Sequence, residues 1–427
     1  MKFFNIVDKL GYRISLLVGL SLFLSEKFEN NVVIPLLVLL FLISMFSKIN
    51  RQKLQLWDRN TSIFLILFII ISFIIPFFDG GLKTRLDNYN LKYLLYFPLM
   101  FFLNNEKKLF KFLSSFVLGS TITIVLAIIE FIKNYKEWAN PVGFDYPRVT
   151  VEKLLTVQDF ANLMCIILLF ALSFLLFYKH KDRRKNIFIK SLLFFLTASS
   201  LFLVIVNRSK MVYICLLPTI VYIIFKKNKK HTITFFILCF VGYFILPTSI
   251  TSRLKYIVYY KNDPSSYLRI IFWDTGFHAF MKKPIYGWRA EERKEFNLNY
   301  YKKTRTSEYV YKNFLRPTSK IKDYVNTHNT YLQYLLEYGI LGLTTLSLVL
   351  FNEWRKLFKI KFYKNQNGTA KIVALEIATK ASFFAWLIQG LTEINLNSKH
   401  MIITLTVIIF FINYLYRKSK ILKINFK

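Results

Sequence analysis

The sequence predicts an all-α polytopic membrane protein of about twelve transmembrane helices with one large loop that itself contains helices. Three observations predict it. Hydrophobic residues make up 54% of the 427-residue chain and aromatic residues 18%. Apolar runs of about 18 to 20 residues, each long enough to cross a bilayer core as a helix, recur along the whole length. The cations that account for a formal charge of +35 gather in alternate connections between those runs.

In chain order the predicted spans are 14–25, 31–47, 61–78, 88–103, 110–132, 158–178, 187–206, 209–225, 232–248, 330–351, 372–392 and 400–416. The first has no small-residue cleavage site and is followed at once by another, so it reads as a retained span rather than a signal peptide. Lys48/Arg51/Lys53/Arg59, Lys107/Lys108/Lys111, the cations of 179–185, Lys226/Lys227/Lys229/Lys230 and those of 355–364 fall on one side, with both basic termini. On the other side the connection 25–30 carries only Lys27, and 394–399 only Lys399. The positive-inside rule then places both termini in the cytoplasm. Much of the charge is a topology signal, so membrane lipids are the expected surroundings and nucleic acid is not an expected partner.

The chain reads as a single integral membrane domain, 1–427, with a large outer loop at 249–329. That loop holds 16 Lys and Arg against 7 Asp and Glu, a net +9 by subtraction, which favours an anionic partner next to lipid headgroups. Cys165, Cys215 and Cys239 all lie inside apolar spans, so none staples the loop. No tandem repeat and no glycine-rich phosphate cradle occurs, so function falls to the loops and span ends.

Within the loop, Asp263-Pro-Ser-Ser266 predicts a helix start and Lys282-Lys-Pro284 a helix stop. The helix between them, Tyr267 to Met281, is aromatic and aliphatic enough to lie in the interface or pack on the bundle. Arg269 on it fits either a snorkelling role or an anion contact. Arg208, in the outer turn Asn207-Arg-Ser-Lys210, runs against the charge trend. It fits a headgroup contact, or an anion site if the following helix offers its N-terminus.

His328 closes the loop, and Asn329 or Thr330 is placed to cap the helix starting near Tyr331. The positive end of that helix favours a neutral ring, which is what a base for a hydroxyl acceptor requires; a plain loop hydrogen bond is the alternative. Glu337, four residues after Gln333 and on its face, invites pairing with a cation or a wet cavity. Glu376 and Lys380 read as a structural i,i+4 pair. Glu393 ends its span on the outer side near Asn395 and Asn397 and is a secondary candidate. His180, His231 and His400 sit in basic loops or at a span start, and His278 falls on the helix face opposite Arg269. No histidine pair or His/carboxylate spacing predicts a metal site.

Taken together, these residues resemble the O-antigen ligase family of bacterial membrane glycosyltransferases. The resemblance rests on Asn207-Arg-Ser-Lys-Met-Val, on the arginine helix followed by Lys283-Pro-Ile-Tyr-Gly287, and on His328-Asn-Thr-Tyr-Leu-Gln with Glu337-Tyr-Gly-Ile-Leu-Gly342, in the family's order. The glycine-rich stretch usual after the Pro284-Ile-Tyr-Gly287 element is replaced by Trp288-Arg-Ala-Glu. The resemblance implies a GT-C-like architecture in the bacterial inner membrane, with the large loop and active site periplasmic. It implies glycan transfer from an undecaprenyl-diphosphate donor to a lipid A-core acceptor hydroxyl, with no cofactor and no metal. It makes His328 the base and Arg208 and Arg269 the donor-diphosphate ligands. Arg148, in Asp145-Tyr-Pro-Arg148, and Arg85, in Lys83-Thr-Arg-Leu-Asp87, are secondary candidates for donor contact and fit headgroup contacts equally.

Polymerases of repeat-unit chains and protein O-oligosaccharyltransferases share this chemistry, so they stand as alternatives within the superfamily. A lipid-linked glycan flippase is the alternative of another class. It would place ionisable residues along a mid-membrane path, whereas the candidates here gather at the outer ends.

Overall fold

A computed structural model describes residues 2–23, 28–47, 50, 57–78, 89–139, 148–151, 154–245, 248–259, 263–303, 326–362, 370–395 and 398–424. Among these residues every regular element is helical. The α-helices are α1 Lys2–Ser21, α2 Ile34–Met45, α3 Arg59–Phe78, α4 Tyr96–Phe102, α5 Glu106–Lys133, α6 Tyr135–Ala139, α7 Val157–Phe177 and α8 Arg183–Asn207. They continue with α9 Lys210–Lys227, α10 Lys229–Ile245, α11 Thr248–Val258, α12 Pro264–Lys282, α13 Ala290–Lys303, α14 Thr330–Lys359, α15 Ala370–Gln389 and α16 Lys399–Ile424.

Six helices, α5, α7, α8, α14, α15 and α16, are long and apolar enough to cross a membrane, and Asn31–Met45 and Arg59–Ile75 are shorter apolar helices. This is consistent with a polytopic membrane protein, and all these segments coincide with predicted spans. The other four predicted spans come out differently. Of the run 14–25, residues 14–21 are the second half of α1, which begins at Lys2 and buries a stripe that includes Val7, Gly11, Ser15 and Val18, and residues 24 and 25 lie outside the described residues. The run 88–103 is broken into a 3-10 segment, Tyr89–Leu95, and the short α4. Pro98 has no N–H to give the carbonyl of Leu94, so a continuous helix loses a bond there; Pro98 falls instead in the first turn of α4, where no such bond is needed. Helices α9 and α10, of 18 and 17 residues, meet at Asn228. Helix α9 is just long enough to span but carries Lys210, Lys226 and Lys227 within its 18 residues, and α10 is at the short limit.

Burial separates interior helices from rim helices. Of the apolar window of α16, 89% is buried, against 33% for α8. Helix α7 packs between α8 and α15, α14 lies on α3 and α16, and α12 lies on α14. Helix α14 extends past its predicted end at 351 and carries Glu353 and Lys356 into the bundle, a charged cluster that hydropathy does not reveal. The Lys356 ammonium donates to Asp58 and Asn413, both at 2.6 Å, and to Thr61, with Glu353 at 3.2 Å. Asn413 donates to the second Glu353 oxygen at 2.9 Å. The cluster pins α14 to α16 and to the start of α3, because a buried charge is tolerable only when its partners are fixed.

At its other end α14 is broken at Gly339, whose φ of 63° and ψ of −165° are not helical. The segment after α12 crosses this break. Trp288 N–H donates to the Leu336 carbonyl at 2.7 Å and Ile340 N–H to the Pro284 carbonyl at 2.8 Å, so the groups released by the kink are satisfied. Lys283-Pro-Ile-Tyr-Gly287 and Glu337-Tyr-Gly-Ile-Leu-Gly342, far apart in sequence, therefore dock on each other. A Cβ on Gly339 would lie 1.9 Å from the Ile285 carbonyl oxygen, and one on Gly287 2.5 Å from that of Leu336.

Gly339→Ala is expected to lower the unfolding temperature in detergent. The left-handed φ alone costs roughly 1–2 kcal/mol, and the contact with Ile285 adds to it. Gly242→Ala, with nothing within 4 Å of its Cβ, serves as the control and is expected to be neutral or slightly stabilising. Equal behaviour of the two variants would contradict the docking role of the kink.

Candidate functional site

The site is built at the end of the bundle where α8 passes into α9 and where α14 starts. Two residues there have positive φ, Arg208 at 61° and His328 at 47°, and they are the non-glycine positions with that conformation among the described residues. Each costs on the order of 1–2 kcal/mol relative to ordinary backbone, so both turns are held by their surroundings.

Arg208 is held by its own contacts and those of its neighbours. The Asn207 amide donates to the Val149 carbonyl at 2.6 Å and fixes the turn. The Arg208 guanidinium lies 4.1 Å from the centre of the Trp138 ring and donates to the Trp138 carbonyl at 3.1 Å. The Trp138 indole N–H in turn donates to the Val206 carbonyl at 2.8 Å. Arg208 is 1% exposed. Arg148, next to Val149, lines a small cavity of about 50 Å³ with Trp138, Glu130 and Asn134.

Lys210, two residues on, reaches a different element. Its ammonium pairs with Asp263 and donates to the Ser266 hydroxyl at 2.8 Å. Asp263 is also the N-cap of α12, accepting from Ser266 N–H at 2.7 Å. The predicted start and stop of that helix are thus both observed, and its cap is tied to the Arg208 turn. Burial raises the Asp263 carboxyl, but the hydrogen bonds from Lys210 and Ser266 and the Lys210 charge outweigh it, and its pKa lies below the usual carboxylate value.

Arg269, six residues along from the cap, donates to Glu393 Oε1 at 2.8 Å. Glu393 Oε2 lies 3.9 Å from His328 Nδ1. Burial pushes the Glu393 carboxyl up, yet contact with His328 and the charges of Arg269, His328 and Arg148 bring it below the usual carboxylate range. Arg148 therefore acts on the same carboxylate as Arg269. The turn holding Glu393 is clamped to the start of α14, where the Thr330 hydroxyl donates to the Glu393 carbonyl at 2.7 Å and accepts from Asn395 N–H at 2.8 Å.

His328 keeps its place through its neighbours. Its N–H donates to the Asn326 side chain at 2.8 Å, and its ring stacks on Phe272 at 6.3 Å and 20°. Trp273 of α12 donates to the Thr327 carbonyl at 2.9 Å. Asn329 is the cap of α14, accepting from Tyr331 and Leu332 N–H at 3.0 Å; Thr330, the other predicted cap, serves the Glu393 turn instead. The His328 side chain is 31% exposed, so part of the ring is open to a ligand. A ring in this setting can take a proton from a hydroxyl while the carboxylate steadies the charge that develops.

The structure brings Arg148, Arg269 and His328 to Glu393, and Arg208 packs on Trp138, which lines the cavity beside Arg148. Arg85 lies outside the described residues. Glu337 stands apart from the cluster. It accepts from Gln333 at 2.6 Å and lies 3.9 Å from Arg293, and Gln333 accepts from Thr327 N–H at 3.0 Å. It therefore braces the His328 loop from behind. His278 lies on the other face of α12 and pairs with Asp274 at 3.5 Å. No group of three His, Cys, Asp or Glu able to hold a metal occurs among the described residues. Lys210 was not a predicted site residue; its signal was a cation next to Arg208 in an outer turn, with a capping aspartate to meet it.

Residues 192–347 match the family model described as O-antigen ligase. The matched stretch includes Arg208, Arg269, His328 and Glu337 and stops short of Glu393; Arg148 precedes it. Comparison with curated proteins gives no match.

Because the Asp263 carboxyl titrates lower folded than unfolded, its ion pair stabilises the fold above the ordinary value of about 3.9 and is lost as pH falls through the lower folded value. Breaking such a buried pair costs roughly 3–5 kcal/mol. The gap in unfolding temperature between wild type and Asp263→Asn is expected to be widest at neutral pH and to close in acid. A gap independent of pH would contradict an ionised pair.

Proposed function

We propose that this protein, which resembles the O-antigen ligase family and matches its model over residues 192–347, is an O-antigen ligase working at the periplasmic face of the bacterial inner membrane, with both termini cytoplasmic. It transfers a glycan from undecaprenyl diphosphate to a hydroxyl of lipid A-core. The observation that supports this reading best is the carboxylate of Glu393 shared by Arg269 and His328, at 2.8 and 3.9 Å, with His328 itself held on a strained turn, as Arg208 is on another. Strained backbone of this kind concentrates where a side chain must be held for a ligand.

The chemistry follows from the residues. The acceptor oxygen attacks the anomeric carbon, its proton passes to His328 Nε2, and the bond from that carbon to the diphosphate oxygen breaks. One further negative charge develops on the departing diphosphate, which is already anionic, and Arg208 and Arg269, with Arg148, supply fixed positive charge for it. Glu393 holds the Nδ1 edge of the imidazole and stabilises it as it becomes imidazolium. The helix start at Asn329 alone would oppose that charge; Glu393, a secondary candidate by sequence, counters it.

His328→Ala is expected to fold and to lose about 10²- to 10⁴-fold in transfer rate, the usual cost of a general base. Arg208→Ala is expected to lose about 10²- to 10³-fold. Arg269→Lys is also expected to lose activity, since a point charge cannot hold Glu393 and a phosphate as a planar fork does. Normal transfer by purified His328→Ala would end the base assignment.

A null mutant analysed for surface glycan decides the reaction. The ligase reading expects polymer missing from lipid A-core and retained on the lipid carrier. Core bearing one repeat unit would instead indicate an O-antigen polymerase, and unglycosylated protein with normal core an O-oligosaccharyltransferase. Absence of any transfer by purified protein from a lipid-linked donor would favour a flippase.

A further inference from the structure

We infer that the bundle carries a binding site for an anionic glycerophospholipid at the end opposite the candidate active site, independent of the reading above. A cavity of about 640 Å³ runs between α5, α7 and α8, within the range of about 300–1,000 Å³ that holds small ligands. Its walls, with Leu113, Phe170 and Leu193 among them, are mainly apolar, and its titratable groups are confined to one mouth formed by Tyr178, His180 and Lys371. The wall hydroxyls of Ser114, Ser120 and Thr121 are spent on carbonyls of their own helix. The cavity therefore suits a hydrocarbon chain along its length and a polar group only at the mouth.

The charge of the mouth selects the headgroup. The Lys371 ammonium lies over the rings of Phe110 and Tyr178, at 5.3 and 5.8 Å, and pairs with no carboxylate among the described residues. His180 Nδ1 accepts from Asp182 N–H at 3.0 Å, so a neutral ring carries its proton on Nε2 and presents a donor. Lys107, three residues before Phe110, and Lys185, four before Ile189, continue the wall faces of α5 and α8 beyond the mouth. The Asp182 carboxylate is engaged by Lys185 N–H at 3.1 Å as the cap of α8. A phosphodiester with two acyl chains and net negative charge complements this arrangement, and a zwitterionic headgroup adds a cation for which the cavity lining offers no carboxylate.

The location excludes the donor site. Lys371 stands in the first turn of α15 and Glu393 follows its last, with the 20 residues of that helix between them, about 30 Å at 1.5 Å per residue.

The test is native mass spectrometry of the full chain in detergent with equimolar phosphatidylglycerol and phosphatidylcholine. Wild type is expected to retain phosphatidylglycerol preferentially. Lys371→Ala should weaken that retention about fivefold, the worth of one lysine near an anionic headgroup, and Lys371→Arg should keep it. Leu193→Trp, which fills the cavity, should abolish it, and Arg208→Ala should leave it unchanged. Equal retention of the two lipids, an unaffected Lys371→Ala, or loss in Arg208→Ala would overturn the proposal.

Discussion

The buried carboxylate of Glu393 is the constraint on which the site depends. It draws together a guanidinium on α12 and an imidazole at the start of α14, and it sits on the turn leaving α15. Burying a carboxylate is costly unless its charge is met. Arg269, His328 and Arg148 meet it, and the net fall in its pKa shows that their pull exceeds the desolvation. The remaining tethers hold the elements carrying these charges: Lys210 on Asp263, Thr330 on the Glu393 turn, and Trp273 on the His328 loop.

The two ends of α14 divide the labour. At the far end, Glu353 and Lys356 are locked into a network with Asp58, Thr61 and Asn413, which fixes the helix in the bundle. At the near end the helix is broken at Gly339 so that the segment after α12 can cross it. A rigid anchor below and a docked crossing above give His328 a fixed base that leaves part of its ring open. Ionisable groups do occur within the bundle, but the buried cluster at the far end is internally compensated, unlike the partly open ring of His328.

Much of this was legible in the sequence because it is local. Hydropathy located the six long helices, Asp263-Pro264 and Lys282-Lys-Pro284 bounded α12, and the Gln333/Glu337 and Glu376/Lys380 pairs follow from helical spacing. Expectations built on apolar run length failed where backbone chemistry intervened, as at Pro98, or where one stripe of a longer amphipathic helix looked like a span, as in α1. Partnerships across long separations left little trace. Arg269 and Glu393 are 124 residues apart, and nothing in either neighbourhood names the other. The match to the O-antigen ligase family over 192–347 stops before Glu393, so only the fold joins it to His328.

The central claim is that His328 and Glu393 act as a unit in glycan transfer. A double-mutant cycle on the purified protein tests it most directly, with transfer rates from an undecaprenyl-diphosphate glycan measured for wild type, His328→Ala, Glu393→Gln and the double variant. The account predicts that Glu393→Gln slows transfer in wild type and has almost no further effect once His328 is gone, because groups acting together lose activity non-additively. Independent, multiplying losses would contradict it.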